Sequence, residues 1–488
     1  MLNRILFILL LLLFQTGFAQ PIFKKTQIHA TLGSIVSSDS TTPFLLRSKQ
    51  YGLVPVKSGI GYFNLSLKKE YDSLYTTTSR KLKKFSYGYG LETHVNFGKT
   101  NQILLPVVHI KARYGAFELY GGRRREIQGL VDTLGTIGSY IWSGNALPMP
   151  KIEISIPNFT PISKNGLIAI KGNFAHGWFG KGDSVQNVWL HQKSFYARIG
   201  KPAWKFHLLG GFNHQVQWGG HPTKPFYDEL SKQIINRFST DFSTFIKVAT
   251  GISLNSKGQG ASSGAPANEA LNRAGNHLGS VDIGLNFTMG KYNIFFYRQS
   301  FYEDGSLFYL NNIADGLYGL SISQKNSFLS KICLEYLDTR NQGGTLFEWT
   351  PELRGRDDYF NNSLYKDAWT YKGNTLGTPL FVSNQTLLGR PSYAKNLGQS
   401  NFIINNRLSA IQMNLYYHYK SFYGNTQIIQ SKNLGNYEYP FKYAQVSFMQ
   451  QINTFYKSYK LSGKIASDFG ELWKDNFGIN LSIAKQIR

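Results

Sequence analysis

Apolar residues recur at every second position along most of the chain. Phe195, Ala197 and Ile199 form one such run, and Trp204, Phe206, Leu208, Gly210 and Phe212 form the next. Successive side chains of an extended strand point to opposite faces, so a period of two marks a strand with one apolar and one polar side. The segment His109–Tyr120 reads as a hairpin: Ile110, Ala112, Tyr114, Phe117 and Leu119 share a face, with Lys111, Arg113 and Glu118 opposite. Val281, Ile283, Leu285, Phe287 and Met289 alternate with Asp282, Gly284, Asn286 and Thr288. Ile411, Met413, Leu415, Tyr417 and Tyr419 alternate with Gln412, Asn414, Tyr416 and His418, and Phe477, Ile479, Leu481 and Ile483 repeat the pattern near the end. Clusters of Gly, Asn, Asp, Lys or Pro separate the runs.

Segments near ten residues long with turns between them match strands that cross a bilayer at a tilt. A soluble sandwich also alternates, but its strands are usually shorter. The predicted fold is therefore all-β, a transmembrane outer-membrane β-barrel, with Tyr87, Tyr89, Tyr297, Tyr302, Tyr416 and Tyr417 placed for interfacial aromatic girdles. One helix is predicted near 225–239, in an extracellular loop, because Phe226, Leu230, Ile234 and Phe238 recur every fourth residue after Pro225. The small, polar, Gly-rich stretch that follows should be mobile at its centre. The closing run NFGINLSIAKQIR is similar to the terminal strand of outer-membrane barrels, although it ends in Arg488 rather than an aromatic residue.

The amino terminus sets the compartment. Arg4, an apolar run from Ile5 to Phe14, and Gly17-Phe18-Ala19 describe a signal peptide over 1–19. The mature chain then begins at Gln20, a Ser/Thr-rich N-terminal segment over 20–42 stays periplasmic, and residues 43–488 form the barrel. Composition fits that order: 30 Tyr, 35 Phe and 48 Gly accompany a mean hydropathy of only −0.26. A single cysteine, Cys333, excludes an internal disulfide and any cysteine-based zinc site, and its strand-like setting suggests a small buried or lumenal thiol. The net charge of +25 asks for a polyanionic partner or a membrane surface, and a secreted chain excludes nucleic acid.

Candidate chemistry concentrates between Asn145 and Gly220. Trp178, His191, Gln192, Lys193, His214, Gln215, Gln217 and Trp218 gather at strand ends, with Asn276 and His277 further on. Amides, imidazoles and indoles suit a sugar, whose hydroxyls need paired donors and acceptors and whose C–H faces need aromatic planes. A turn at Lys201-Pro202 would set His191–Lys193 beside Asn213–Gln217, at the end away from the turn. Arg123, Arg124 and Arg125 could meet lipid headgroups or acidic sugars at the mouth of the lumen. Asp282, Glu303, Asp304 and Asp315 could support glycosidase chemistry. Neighbours on a strand point apart, however, so a lumenal polar network that anchors loops is the better reading. Gly260–Gly264 matches a nucleophile motif in letters, without the strand-to-helix elbow it requires, and the histidines lack zincin spacing. No cofactor, no metal and no catalytic set are expected.

The runs HGWF, LHQKS, RIGKPAW and GGFNHQVQWGG, with PFLLRSKQYG upstream and the ED…DGL and GNHLGS patterns downstream, resemble the Wzi family of outer-membrane capsule assembly proteins. The resemblance runs from about Phe44 to the carboxyl terminus and is densest between Gly121 and Gly319. It implies a barrel of about 18 antiparallel strands with a plugged lumen and a small helical element near the N-terminus. It also implies a lectin-like role, holding exported capsular or related acidic polysaccharide at the surface of a Gram-negative cell. Outer-membrane lipid, lipopolysaccharide and the barrel-assembly machinery would be the other partners. A substrate-specific porin for acidic sugars and an outer-membrane hydrolase remain as alternatives.

Overall fold

The computed structural model describes residues 25–72, 84–229, 232–252, 273–303, 306, 310–346, 355–387, 402–473 and 475–487. Eighteen antiparallel strands form one closed sheet. In chain order they are β1 (Gln27–Ser37), β2 (Ile60–Lys69), β3 (Phe85–Gly98), β4 (Gln102–Tyr114), β5 (Phe117–Arg123) and β6 (Lys151–Pro161). Then come β7 (Ile168–Gly180), β8 (Val188–Ile199), β9 (Phe206–Trp218), β10 (Asn276–Met289), β11 (Tyr292–Glu303) and β12 (Gly316–Gln324). The rest are β13 (Leu329–Asp338), β14 (Leu408–Tyr419), β15 (Phe422–Gly435), β16 (Pro440–Tyr456), β17 (Tyr459–Gly470) and β18 (Asn476–Gln486). Each pairs with its neighbour in sequence, and β1 closes the ring by pairing with both β2 and β18. No helix among the described residues is long and apolar enough to cross a membrane.

The alternation in the sequence is the alternation of the wall. Ile110, Tyr114, Phe117, Leu119, Ile283, Met289, Ile411, Tyr419, Leu481 and Ile483 are exposed on the outer face, while Glu118, Asp282, Gln412 and Asn414 are buried inside. Short turns join β4 to β5, β10 to β11, β14 to β15 and β16 to β17 at one end. Around these turns lie exposed Tyr114, Phe117, Tyr419, Phe422, Phe455 and Tyr456, an aromatic rim of the kind that sits at a membrane interface. Outer-membrane barrels turn their short connections to the periplasm, so the long loops at the other end are extracellular. Two tyrosines expected in the girdles point inward instead. Tyr297 donates to Glu335 Oε1 at 2.5 Å, and Tyr416 donates to the Leu134 carbonyl at 2.5 Å.

Residues 25–42 do not form a separate periplasmic segment. Gln27–Ser37 is a wall strand, with Leu32 and Val36 on the outer face. His29, Thr31, Gly33 and Ser37 belong to the lumenal half of an alternation, which composition alone makes look like a linker. Just after it, one helical turn, α1 (Phe44–Arg47), packs inside the barrel with Phe44, Leu45 and Leu46 buried. The signal-peptide residues 1–19 and the nucleophile-like Gly260–Gly264 lie outside the described residues.

The helix predicted near 225–239 is also absent. Phe226–Asp228 pairs with Gln233–Ile235 as a small hairpin, which places Phe226 opposite Ile235. A spacing of four is even, so it serves a strand as well as a helix, and Ile234-Ile235 favours the extended form. The helix begins later, at α2 (Phe242–Thr250). Asp241 caps it by accepting the Thr244 amide at 2.6 Å, and Gly251 ends it at a φ of 70°, donating to the Lys247 carbonyl.

The extracellular half of the lumen is filled. Loops β1–β2, β5–β6 and β13–β14 fold inward and bring Tyr140, Ile141, Trp142, Tyr359, Phe360, Trp369 and Phe381 into one buried cluster with inward wall residues such as Phe301 and Leu408. Tyr140 stacks on Phe301 with ring centres 4.0 Å apart.

Candidate functional site

Wall carboxylates hold the plug. Asp282 accepts the Leu130 amide at 2.7 Å, together with Tyr196, Ser280 and Gln299 side chains. Glu303 accepts the Phe360 amide at 2.7 Å and the Tyr140 hydroxyl at 3.3 Å. Glu335 accepts the Ile137 amide, and Asp468 accepts the Phe44 amide at 2.7 Å. Asp315, just before β12 at its extracellular end, accepts the Asn341 and Gln342 amides at 3.0 and 2.7 Å. A buried amide without an acceptor costs about 1–3 kcal/mol, so each carboxylate fixes a loop in place. Asp304 lies outside the described residues.

The three arginines are drawn into the lumen. Arg123 donates to the Tyr371 hydroxyl at 3.2 Å, and Arg125 pairs with Glu92. Arg124 is a hub that donates to Glu118, to Glu126 at 2.6 Å and to Glu153 at 2.9 Å, over the face of Tyr120. Lys151 completes the network on Glu126 and on Glu153 at 3.3 Å. Burial works against ionisation of the Glu126 carboxyl, but Lys151 and Arg124 outweigh it and hold the group well below the usual carboxylate range. Between this network and the periplasmic end lies a cavity of about 640 Å³, lined by Lys68, Glu70, Lys111, Glu118, Glu153 and Lys171 among others.

The residues predicted to form a sugar surface come together, but not on one surface. Strands β8, β9 and β10 set Gln192 opposite Gln215, Lys193 opposite His214, and Gln217 opposite Asn276. The strand period then splits them between the two sides of the wall. Gln192, Gln215, Gln217 and Asn276 face the plug. Lys151 donates to Gln192 at 2.5 Å, Asn276 donates to Gln217 at 2.9 Å, and Gln217 donates to the Ala368 carbonyl at 3.1 Å. Trp178, His191, Lys193, His214, Trp218 and His277 share the outer side with Phe195, Phe212 and Val281.

Helix α2 covers most of that outer group. Phe245 meets the His191 and Trp218 rings, each at 5.8 Å, and Val248 packs with Val216 and Trp218. Lys193 donates to the Ala249 carbonyl and Arg273 to the Gly251 carbonyl, two cations on the negative end of the helix dipole. His277 Nε2 donates to the Ala274 carbonyl at 2.9 Å, so its Nδ1 accepts from His214 Nε2 at 3.0 Å. Trp178 alone of the aromatic candidates stays over a third exposed.

The open extracellular rim carries a different constellation. The Tyr437 ring, in the β15–β16 loop, lies under the Arg407 guanidinium at 3.9 Å, with Arg356 at 5.7 Å. Its hydroxyl donates to the Asn341 carbonyl at 2.7 Å. Neither arginine makes an ion pair among the described residues. Beneath them Asp358 accepts from Asn406 at 2.5 Å and from Asn361 at 3.0 Å, and burial pushes its carboxyl up to about 6.

Among solved structures, the chain is similar to Wzi of Escherichia coli, described as an outer-membrane protein involved in group 1 capsule assembly and a carbohydrate-binding β-barrel. The TM-score is 0.58 at 14% identity, covering 95% of this chain and 86% of that one. OccK5 (OpdH) of Pseudomonas aeruginosa gives 0.46 at 9% identity, covering 95% and 98%. OccAB2 of Acinetobacter baumannii gives 0.44 at 10%, covering 95% and 99%. No family model matches, and no curated protein is similar in sequence. The fold is that of an outer-membrane β-barrel.

Sequence reasoning missed Glu335, Asp468 and the Tyr437 rim. Glu335 and Asp468 stand on the polar side of alternating runs, and that position could have marked them as lumenal. Nothing local marks Tyr437, Arg407 and Arg356, which come together from distant points of the β13–β14 and β15–β16 loops.

Proposed function

We propose that the protein is a non-enzymatic outer-membrane barrel that binds exported acidic polysaccharide, capsular or related, at its extracellular rim. The observation that carries the reading is the pair of guanidinium groups on Tyr437, raised above a lumen filled by anchored loops. Guanidinium pairs with uronate carboxylates in two-point hydrogen bonds, while aromatic rings take sugar C–H faces. The net charge of +25 and the likeness of fold to a carbohydrate-binding barrel support it. The filled lumen speaks against the porin alternative, which needs a continuous aqueous path.

The test is binding of purified protein in lipid nanodiscs to a uronic-acid polysaccharide, with neutral dextran as control. Binding should be selective for the acidic polymer and weaken with salt. Exposed charge contacts contribute roughly 0.7 kcal/mol each, so the double change Arg356→Ala, Arg407→Ala should weaken it roughly tenfold. Equal binding of both polymers, or an unaffected double variant, would count against the rim. Stable open channels in planar bilayers would favour the porin.

A further inference from the structure

The outer wall of the barrel is not apolar all the way up. On β8, β9 and β10 the lipid-facing side reads Phe195, Phe212 and Val281 in its lower part, then changes to Lys193, His191, His214 and His277. Lys193 stands six residues from Ile199 at the periplasmic end of β8. At about 3.3 Å per residue and a tilt near 40°, that is about 15 Å up an apolar band about 25 Å tall. A cation and three imidazoles there would face acyl chains, and the lysine near mid-depth is the most costly of them to leave uncovered.

Helix α2 lies over this window. Its inner face supplies Phe245, Val248 and the Ala249 carbonyl to Trp218, Val216 and Lys193. Its outer face carries Phe242, 76% exposed, and Ile246, 44% exposed, one turn apart, beside the small Ser243 and Thr250, and Ile252 beyond the cap is 53% exposed. A loop helix standing in water would turn its large apolar residues inward; the large residues this one turns outward are Phe and Ile. Its exposed side continues the apolar wall of Phe174, Phe195 and Phe212 at the height where the wall itself becomes polar.

We propose that α2 is a membrane element, lying in the outer leaflet with Phe242 and Ile246 against lipid acyl chains and sealing a polar window in the barrel wall. The β9–β10 loop thus reaches down the outside of the barrel, while loops β1–β2, β5–β6 and β13–β14 fill the inside. The partner is the outer-leaflet lipid itself.

The test uses the full chain with Cys333→Ser, which removes the one native thiol. A nitroxide is attached to a single cysteine at position 242, 246, 195 or 232, and the protein is reconstituted in phosphatidylcholine–phosphatidylglycerol vesicles. Collisions with oxygen, which concentrates in acyl chains, are compared with collisions with a water-soluble nickel chelate. Positions 242 and 246 should match 195 on the wall and differ from 232, an exposed lysine site on the neighbouring hairpin. Nickel accessibility at 242 and 246 equal to that at 232, with 195 still lipid-exposed, overturns the proposal. Aqueous exposure at 195 as well would instead overturn the membrane-barrel reading on which it rests.

Discussion

Replacing Arg124 with methionine should loosen the plug without opening the wall. In the parent, Arg124 and Lys151 present two cations to Glu118, Glu126 and Glu153, of which Glu118 and Glu153 are almost wholly buried. Methionine keeps much of the packing over Tyr120 but leaves one cation facing three carboxylates. Removing one partner from a buried ionic network costs about 3–5 kcal/mol, because the remaining charges stay desolvated. That cost falls on the β5–β6 loop, which Asp282 and Glu335 also hold at Leu130 and Ile137. The expected outcome is a barrel of normal gel mobility, a lower thermal midpoint, and brief current steps in planar bilayers where the parent is silent. The deficit should shrink as pH falls toward 5, since protonating a carboxylate removes the repulsion. Adding Glu126→Gln should recover part of the loss by the same argument. In the parent the sign is opposite. Glu126 is held below its ordinary value of about 4.3, so its contribution is present above that pH and is lost in stronger acid. A variant indistinguishable from the parent in midpoint, current and pH response would refute the network as the lock on the loop.

Three further outcomes are expected. Ionising Asp358, whose carboxyl rises from 3.8 to about 6, costs about 3 kcal/mol; its stabilising contribution is complete below pH 3.8 and is lost as pH rises through 6. Asp358→Asn should therefore flatten the pH dependence of the loop's amide protection factors between pH 5 and 7.5, where the parent loses protection at the higher pH. Trp218→Ala should cost about 3–5 kcal/mol of packing under α2 and speed tryptic cutting at Lys247, with the barrel itself still resistant to heat on gels. The paired change His191→Ala, Gln192→Ala separates the two sides of the wall. Gln192→Ala alone should disturb Lys151 in the lumen, and His191→Ala alone should disturb Phe245 of α2, measurable as independent effects that add.

The wall was legible because a single physical constraint, alternate burial, repeats along every strand. Val281–Met289 and Ile411–Tyr419 show it without interruption, and even the lumenal role of Asp282 follows from its place between them. Beyond the strands legibility failed for identifiable reasons. Phe226 to Phe238 has a spacing that two periods share, while the true helix is rich in β-branched Thr, Ile and Val and is marked chiefly by Asp241 and Gly251. The candidate ligand residues are divided for a different reason. His191, Gln192 and Lys193 are adjacent in sequence, and the same alternation that identified the strand sends Gln192 into the lumen and its neighbours outward. The rim around Tyr437 depends on chain segments about 80 residues apart, a proximity no local pattern encodes.

The pairing of β1 with β18 has a kinetic consequence. Thr31 meets Ala484, so the seam joins the first wall strand to the last, and the ring cannot close until nearly the whole chain has been made and delivered. Until then both edge strands expose unpaired amides and carbonyls that water or a protein partner must occupy, since lipid offers neither donor nor acceptor. The charged lumenal network meets the same schedule. Arg124, Lys151 and their carboxylates are brought together within the β5–β6 hairpin region, ahead of the seam, so the inner lock can assemble on a sheet that is still open. An inner lock assembled at that stage leaves the seam to close around contents already in place, rather than around an empty cylinder.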